Sequence, residues 1–486
     1  MSFSIAKHKW FFTLLGVLIV LTHFQIIGQS PRGPHTWRQC HTLAVARNFH
    51  QESMNIFQPR VDKRNDTNGV TGMQFPSYEY IVAISYKILG EHNFIHRILS
   101  LLITFLGCIA VYRVGVAIFR SDLVALAGAA MLPWSPDLFY HSANALPDVL
   151  ALSAGLWGFA LALEYRMTRH IPTILWSSVL ILLGALTKVQ YLSFGLPILI
   201  LFYQDRRRKK IGKTEFRMFL ELSSLVLMLS AGWYIYAREL RRTSGLLDFG
   251  LHFNPVSALS EGLAILKQNL LSDLPELYLN YASFALMLIG LIHFFRTRLR
   301  KSEWSLTASI WGSSLVLYHM LELGQMKDHA YYAMVYLLPL MLLAMNGVKV
   351  VAERLKPRIV WILIAVMPAL AYARMHHRWT GDQKYVPAVL FDQDERRPFV
   401  SKVPEGLCIA GPDLSGSIYY YYLDREGYGF ADPAELDDET HLQNMIDAGA
   451  TILISDDPEV RMIPAVLKHS DSLIAQQGNF FALRLQ

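Results

Sequence analysis

Apolar runs long enough to cross a lipid bilayer recur along almost the whole chain, and they leave room for few other folds. The first extends from Phe11 to Gly28. Others lie near 96–118, 123–139, 149–164, 172–187, 189–203, 217–237, 278–295, 304–322, 331–348 and 359–374, about eleven in all. A helical span requires roughly 17 to 25 predominantly apolar residues. With 53% hydrophobic and only 17% charged residues, and a mean hydropathy of +0.27, a single soluble core is excluded. An α-helical polytopic membrane protein of about 11 transmembrane helices is expected.

The basic residues orient these spans. Arg206, Arg207, Arg208, Lys209, Lys210, Lys213 and Arg217 fill one short loop, and Arg296, Arg298, Arg300 and Lys301 fill another. Both belong in the cytoplasm by the positive-inside rule, which puts the N-terminus inside and the C-terminal tail outside. These loops absorb most of the formal net charge of +6, so no nucleic acid partner is expected. Gln29, Ser30 and Pro31 follow the first span without a small-residue cleavage pattern, so that span is expected to stay as an anchor. Three cysteines make no disulfide framework, a Cys40–Cys408 bridge being only formally open to them. No metal-type Cys or His spacing occurs.

The outer side carries the unusual sequence: an excursion over 28–94, a turn around Trp134 to Asp148, a loop over 238–277 and a tail from about 376. The excursion begins with Pro34-His35-Thr36-Trp37-Arg38-Gln39, an imidazole, an indole, a guanidinium and an amide at a lipid boundary. Farther along, Tyr78, Ile81, Val82, Ser85 and Leu89 form a mostly apolar helical stripe suited to the bilayer surface, while Asp62 to Gly72 reads as loop. In the tail, Leu407 to Ala410, Thr451 to Ile454 and Phe480 to Leu485 read as strands and His441 to Ala448 as helix. Ser417 to Tyr422, with four tyrosines, reads as a buried strand rather than a carbohydrate-facing surface. The expected division is a transmembrane module over 1–375 and a small extracytoplasmic α/β domain over 376–486. No Gly-rich nucleotide loop is present, which disfavours a nucleotide-sugar donor.

Trp37-Arg38-Gln39, Ala46-Arg47-Asn48-Phe49, Asn55-Ile56, Pro59-Arg60-Val61-Asp62, Phe75-Pro76 and Tyr86-Lys87-Ile88-Leu89-Gly90 together resemble the first outer loop of polytopic C-type (GT-C) glycosyltransferases. The similarity is to the bacterial protein mannosyltransferase and aminoarabinose transferase group. The resemblance implies a multi-pass protein of the bacterial cytoplasmic membrane. It further implies sugar transfer from a polyprenyl-phosphate donor to a glycan, glycolipid or protein acceptor at the outer face, commonly with inversion. No cofactor is required by it, and dependence on a divalent metal is left open.

That reaction needs a base for the acceptor hydroxyl and groups that stabilise a leaving phosphate. Asp62 and Asp148 fall where relatives carry carboxylates, and His35 stands where they lead with an acidic residue, so the base is expected among these three. Arg38, with Trp37 and Gln39 beside it, is expected at the substrate. Lys188 interrupts an apolar stretch and needs a partner such as a lipid phosphate, snorkelling at a turn being the plainer alternative. His329, Tyr331 and Tyr332 resemble a His-Tyr-Tyr element of relatives and are placed with the substrate. Glu79 is expected to be solvated, with a substrate contact as the lesser reading, and Arg238, Arg241 and Arg242 read mainly as surface charge. A lipid or glycan transporter would typically show internal repeats and broken mid-membrane helices, an O-antigen ligase or polymerase an arginine-rich late outer loop. A nonenzymatic assembly subunit is the remaining alternative.

Overall fold

The computed structural model describes residues 5–246, 253–297, 303–381 and 386–486. Arg298, Arg300 and Lys301, residues 247–252 of the 238–277 loop and residues 382–385 of the tail lie outside the described residues. In chain order the main helices are α1 (Lys9–His23), α2 (Thr36–Gln51), α3 (Ser77–Leu89), α4 (Asn93–Phe119), α5 (Asp122–Met131), α6 (Pro136–His141), α7 (Pro147–Thr168) and α8 (Ile171–Thr187). They continue as α9 (Gly195–Arg207), α10 (Lys213–Ser244), α11 (Leu259–Gln268), α12 (Tyr281–Arg296), α13 (Glu303–Leu321), α14 (Leu323–Met326), α15 (Leu337–Arg354) and α16 (Pro357–Met375).

Among the described residues, six helices are long and apolar enough to cross a membrane: Ala6–Ile26, Asn93–Phe119, Pro147–Thr168, Lys213–Ser244, Ala330–Arg354 and Pro357–Thr380. A seventh is added if Leu259–Tyr278 and Tyr281–Arg296, bent by 116° at their junction, form one broken span. The other apolar runs fall on shorter helices. Around Lys188 the chain turns out of α8 into a 3-10 segment, Val189–Phe194, before α9 resumes the helix. The 238–277 stretch is less loop-like than its composition suggests, since α10 runs on to Ser244 and Leu259–Tyr278 is helical.

Two compact units divide the chain. The first comprises Met1–Ile27, His96–Ile235 and Leu251–His377. Within it α12 and α15 touch backbone to backbone: a Cβ on Gly290 would lie 1.8 Å from the Leu343 carbonyl oxygen, and one on Gly347 1.9 Å from that of Leu286. Small residues permit this approach, which maximises van der Waals contact where apolar solvent gives helices no hydrophobic reason to associate. Asn346 adds a hydrogen bond, its Nδ2 donating to the Gly290 carbonyl at 2.8 Å.

The second unit comprises Gly28–Ile95, Tyr236–Gly250 and Arg378–Gln486. Its sheet contains β1 (Leu407–Ala410), β2 (Gly427–Gly429), β3 (Ala450–Ser455), β4 (Ser470–Gln477) and β5 (Phe480–Leu485), ordered β2-β1-β3-β5-β4. The first three are parallel, and β5 runs antiparallel to both β3 and β4. Alternation of side chains puts Cys408, Ala410, Ile452 and Ile454 into one core, which also takes in Cys40 of α2, and Ile409 and Leu453 into the other. All three cysteines are free thiols. The first loop lies along the β2 edge, with Gly427 N–H donating to the Asp62 carbonyl and the Gly427 carbonyl accepting from Arg64 N–H in return.

One expected strand is a helix. Ile418–Leu423 is a buried helical turn, although aromatic runs favour strands by propensity. The Asp413 carboxylate accepts backbone N–H bonds from Ser417 at 3.0 Å and Ile418 at 2.8 Å, satisfying the orphan donors that open a helix. The tyrosines then leave in different directions, with Tyr419 donating to Asp456, Tyr420 to the Tyr428 carbonyl and Tyr422 to the Pro31 carbonyl.

Candidate functional site

In the first unit, the polar residues of several turns between helices converge. Pro147 opens α7, where its missing N–H costs nothing, and Asp148 follows it, fully buried. The preceding turn is fastened by α4: the buried Arg97 donates to the Ala143 carbonyl at 2.7 Å and Asn144 Oδ1 at 3.2 Å, and Ser100 Oγ donates to the Asn144 carbonyl. Lys188 caps α8 in extended backbone, which aims its side chain away from the helix. Its Nζ lies 3.3 Å from Asp148 Oδ2, the two side chains being 13% and 0% exposed. The Tyr331 and Tyr332 rings stand 5.7 and 5.4 Å from the same ammonium, within cation–π range. His329 packs against both tyrosines at 5.6 and 6.1 Å. The structure thus brings together Asp148, Lys188, His329, Tyr331 and Tyr332.

Three further residues at this centre were not singled out from sequence. Asp137 and His141 pair across one turn of α6 at 3.5 Å, both buried, and the His141 ring meets Tyr331 edge-on at 5.4 Å. Their i, i+4 spacing was a usable signal. Glu322, immediately after α13, is buried and near enough to Lys188 for their charges to interact. Nothing local in the sequence marks it.

The remaining candidates lie in the second unit. His35 is the N-cap residue of α2, with a left-handed backbone (φ 61°), and is half-buried with Trp37. Arg38 and Gln39 are buried, and Gln39 Nε2 donates to the Arg32 carbonyl at 3.0 Å. Asp62 is buried with both oxygens engaged, accepting from Arg47 Nη2 at 2.7 Å and Asn48 Nδ2 at 2.8 Å. Glu79 is fully buried and not solvated. The register of α3 is the reason: Tyr78, Glu79, Val82, Ala83 and Tyr86 face inward, while Ile84, Ile88 and Leu89 are exposed. Gln74 Nε2 lies 3.5 Å from Glu79 Oε1. Arg242 is paired with Glu239 on the surface. Among the described residues no group of three or more His, Cys, Asp or Glu could hold a metal ion.

His41, one turn after Arg38, has its Nδ1 3.2 Å from Ser417 Oγ. Burial, reinforced by the Arg38 charge, holds its imidazole well below the ordinary 6.5, so it folds neutral. Below pH 6.5 the unfolded chain takes up a proton that the folded chain refuses. This residue's effect on stability is therefore flat above pH 6.5, and its contribution falls progressively as the pH drops below that value. Thermal denaturation at pH 7 and pH 5 should show His41→Asn losing less stability on acidification than the parent. Equal losses would remove the imidazole as the source.

A bundle of apolar helices with a small β-sheet unit toward its C-terminus is the architecture of the polytopic C-type glycosyltransferases, and this chain has that fold. Residues 74–236 match the family model described as dolichyl-phosphate-mannose-protein mannosyltransferase. The structure is similar to that of ArnT from Cupriavidus metallidurans bound to undecaprenyl phosphate, with a TM-score of 0.67 at 14% identity, covering 99% of this chain and 98% of that one. It is also similar to the archaeal oligosaccharyltransferase AglB from Archaeoglobus fulgidus, in complex with an inhibitory peptide and a dolichol-phosphate (TM-score 0.54, 11% identity, 98% and 74% covered). A third likeness is to the mycobacterial arabinofuranosyltransferase AftD (TM-score 0.56, 14% identity, 98% and 40% covered). No curated protein matches the chain by sequence.

Proposed function

We propose that this protein transfers a sugar from a polyprenyl-phosphate donor to an acceptor at the outer face of a bacterial cytoplasmic membrane. The observation that carries the reading is the half-buried Lys188 ammonium between Asp148 and two tyrosine rings, in a fold shared with a protein bound to undecaprenyl phosphate. A cation held within a membrane bundle marks a place where charge is handled, and the second negative charge that develops on the lipid phosphate as it leaves is what Lys188 is placed to stabilise.

In this mechanism Lys188, with His329, Tyr331 and Tyr332, holds the phosphate of the donor. Trp37, Arg38 and Gln39 contribute to substrate binding, and the base is drawn from His35, Asp62 and Asp148. The acceptor oxygen forms its bond to the anomeric carbon as the bond from that carbon to the phosphate oxygen breaks. The phosphate departs with the electron pair, the acceptor proton goes to the base, and the configuration inverts. Preorganised cationic and hydrogen-bonding groups are most effective where charge develops in a water-poor site. The basic loops at 206–217 and 296–301 support a cytoplasmic assignment for those ends, with 376–486 as an extracytoplasmic domain.

The purified protein in liposomes, given a panel of labelled polyprenyl-phosphate sugars with glycolipid, glycan and protein acceptors, is expected to transfer one of them. Failure with every donor, the protein remaining folded, would overturn the reading.

A further inference from the structure

A cavity of about 570 Å³ opens in the first unit along α15, from Pro339 to Lys349, and shares no lining residue with the Lys188 centre. Its polar marker, Lys349, lies twelve residues beyond the start of α15, about 18 Å along the axis at the helical rise. Phe294, Trp304, Trp311 and Leu342 line apolar walls, and the volume is within the range of small-molecule sites. These walls are firm, because α12 and α15 are sealed by the Gly290 and Gly347 contacts. Asn346 is also committed within the wall, to the Gly290 carbonyl and to His293 Nδ1 at 3.3 Å. Space is real at Gly312, where an added Cβ would meet nothing within 4 Å.

The charge at the mouth selects among amphiphiles. Among the described residues no carboxylate lines the cavity, whereas Lys349 and His293 do. Lys349 has only a loose contact with Glu353, at 3.9 Å between two exposed side chains. Arg296 and Arg354 end the two helices that form the wall. Ile292 and Phe295 of α12 and Leu306 of α13 are exposed apolar residues on the helices flanking the cavity, so its surroundings are acyl chains.

We propose that this cavity is a binding site for one acyl chain of an anionic membrane phospholipid whose phosphate rests on Lys349. Basic pockets between membrane helices recognise anionic head groups in this way. The site is separate from the donor chemistry around Lys188 and does not depend on it.

The test uses the full-length protein in bilayers containing phosphatidylglycerol or phosphatidylcholine with a photoreactive group on one acyl chain. Labelling is expected within 291–297, 304–312 and 339–349 and is stronger for phosphatidylglycerol. Gly312→Trp should reduce it about tenfold, and Lys349→Gln should abolish the preference for the anionic lipid while keeping labelling by both. Ala308→Phe fills the same cavity from another position if Gly312→Trp does not fold. Undiminished labelling in a folded cavity-filled variant would overturn the proposal, as would an anionic preference that survives Lys349→Gln. Displacement by polyprenyl phosphate but not by unlabelled phosphatidylglycerol would also overturn it.

Discussion

Lys188→Met is expected to lower kcat/KM for transfer from a polyprenyl-phosphate sugar by at least about a hundredfold, the usual cost of deleting one charge-stabilising donor. The geometry explains both the size of the effect and its main confounder. Lys188 Nζ is 3.3 Å from an Asp148 carboxylate that has no exposure to solvent, so removing the ammonium also strands a buried charge, which by itself costs several kcal/mol. Lys188→Met combined with Asp148→Asn removes both members of the pair and should recover most of the lost stability without recovering turnover. Lys188→Arg keeps the charge but changes its shape and reach, and should retain part of the activity. Steady-state kinetics and thermal denaturation of the three variants separate the effects. Turnover above half of the parent value in a folded Lys188→Met protein would remove the lysine from the donor site. So would full recovery of turnover in the double variant, because the lysine would then be only a counter-ion.

The parts legible in the sequence were those governed by local pattern. Apolar runs became helices, Pro147-Asp148 opened α7, and Leu407–Ala410 and Phe480–Leu485 became strands, each because composition and period act over a few residues. The tyrosine run at 418–423 misled because the decisive group, the Asp413 carboxylate, sits several residues upstream and acts through backbone N–H groups that no propensity scale sees. Glu79 misled for another reason. Helix α3 is apolar on more than one face, as Ile84 and Ile88 show, so the sequence admits two registers and only packing selects the one that buries the carboxylate. The Lys188 centre was legible as separate residues but not as a cluster. Lys188 and Asp148 are forty positions apart, and Asp137, His141 and Glu322 join them only through the fold.

The same distinction bears on Asp62, where the largest expected stability effect lies. Arg47 Nη2 binds Asp62 Oδ2 at 2.7 Å, and its Nη1 reaches Asp424 Oδ1 at 2.8 Å and the Tyr421 carbonyl at 3.1 Å. Burial opposes the Arg47 charge, yet Asp62 and Asp424 together hold its pKa above the ordinary arginine value. Arg47→Met leaves Asp62 buried with only Asn48 to hold it, and should destabilise the protein by about 3–5 kcal/mol. Arg47→Met with Asp62→Leu removes the pair together and should recover most of that loss, a coupling that a double-mutant cycle on thermal denaturation measures directly. Asp62→Asn tests the chemical role separately, since the amide keeps the size and one acceptor of the carboxylate but cannot take a proton. Both Asp62 oxygens are engaged, by Arg47 and Asn48, so this variant should retain turnover within about tenfold, whereas loss of a general base typically costs 10²–10⁴-fold. Retention would narrow the base to His35 and Asp148 and make the Arg47–Asp62 pair a fastening between the first loop and the helix at Ile418–Leu423. A loss of a hundredfold or more at unchanged stability would instead make Asp62 the base despite its partners.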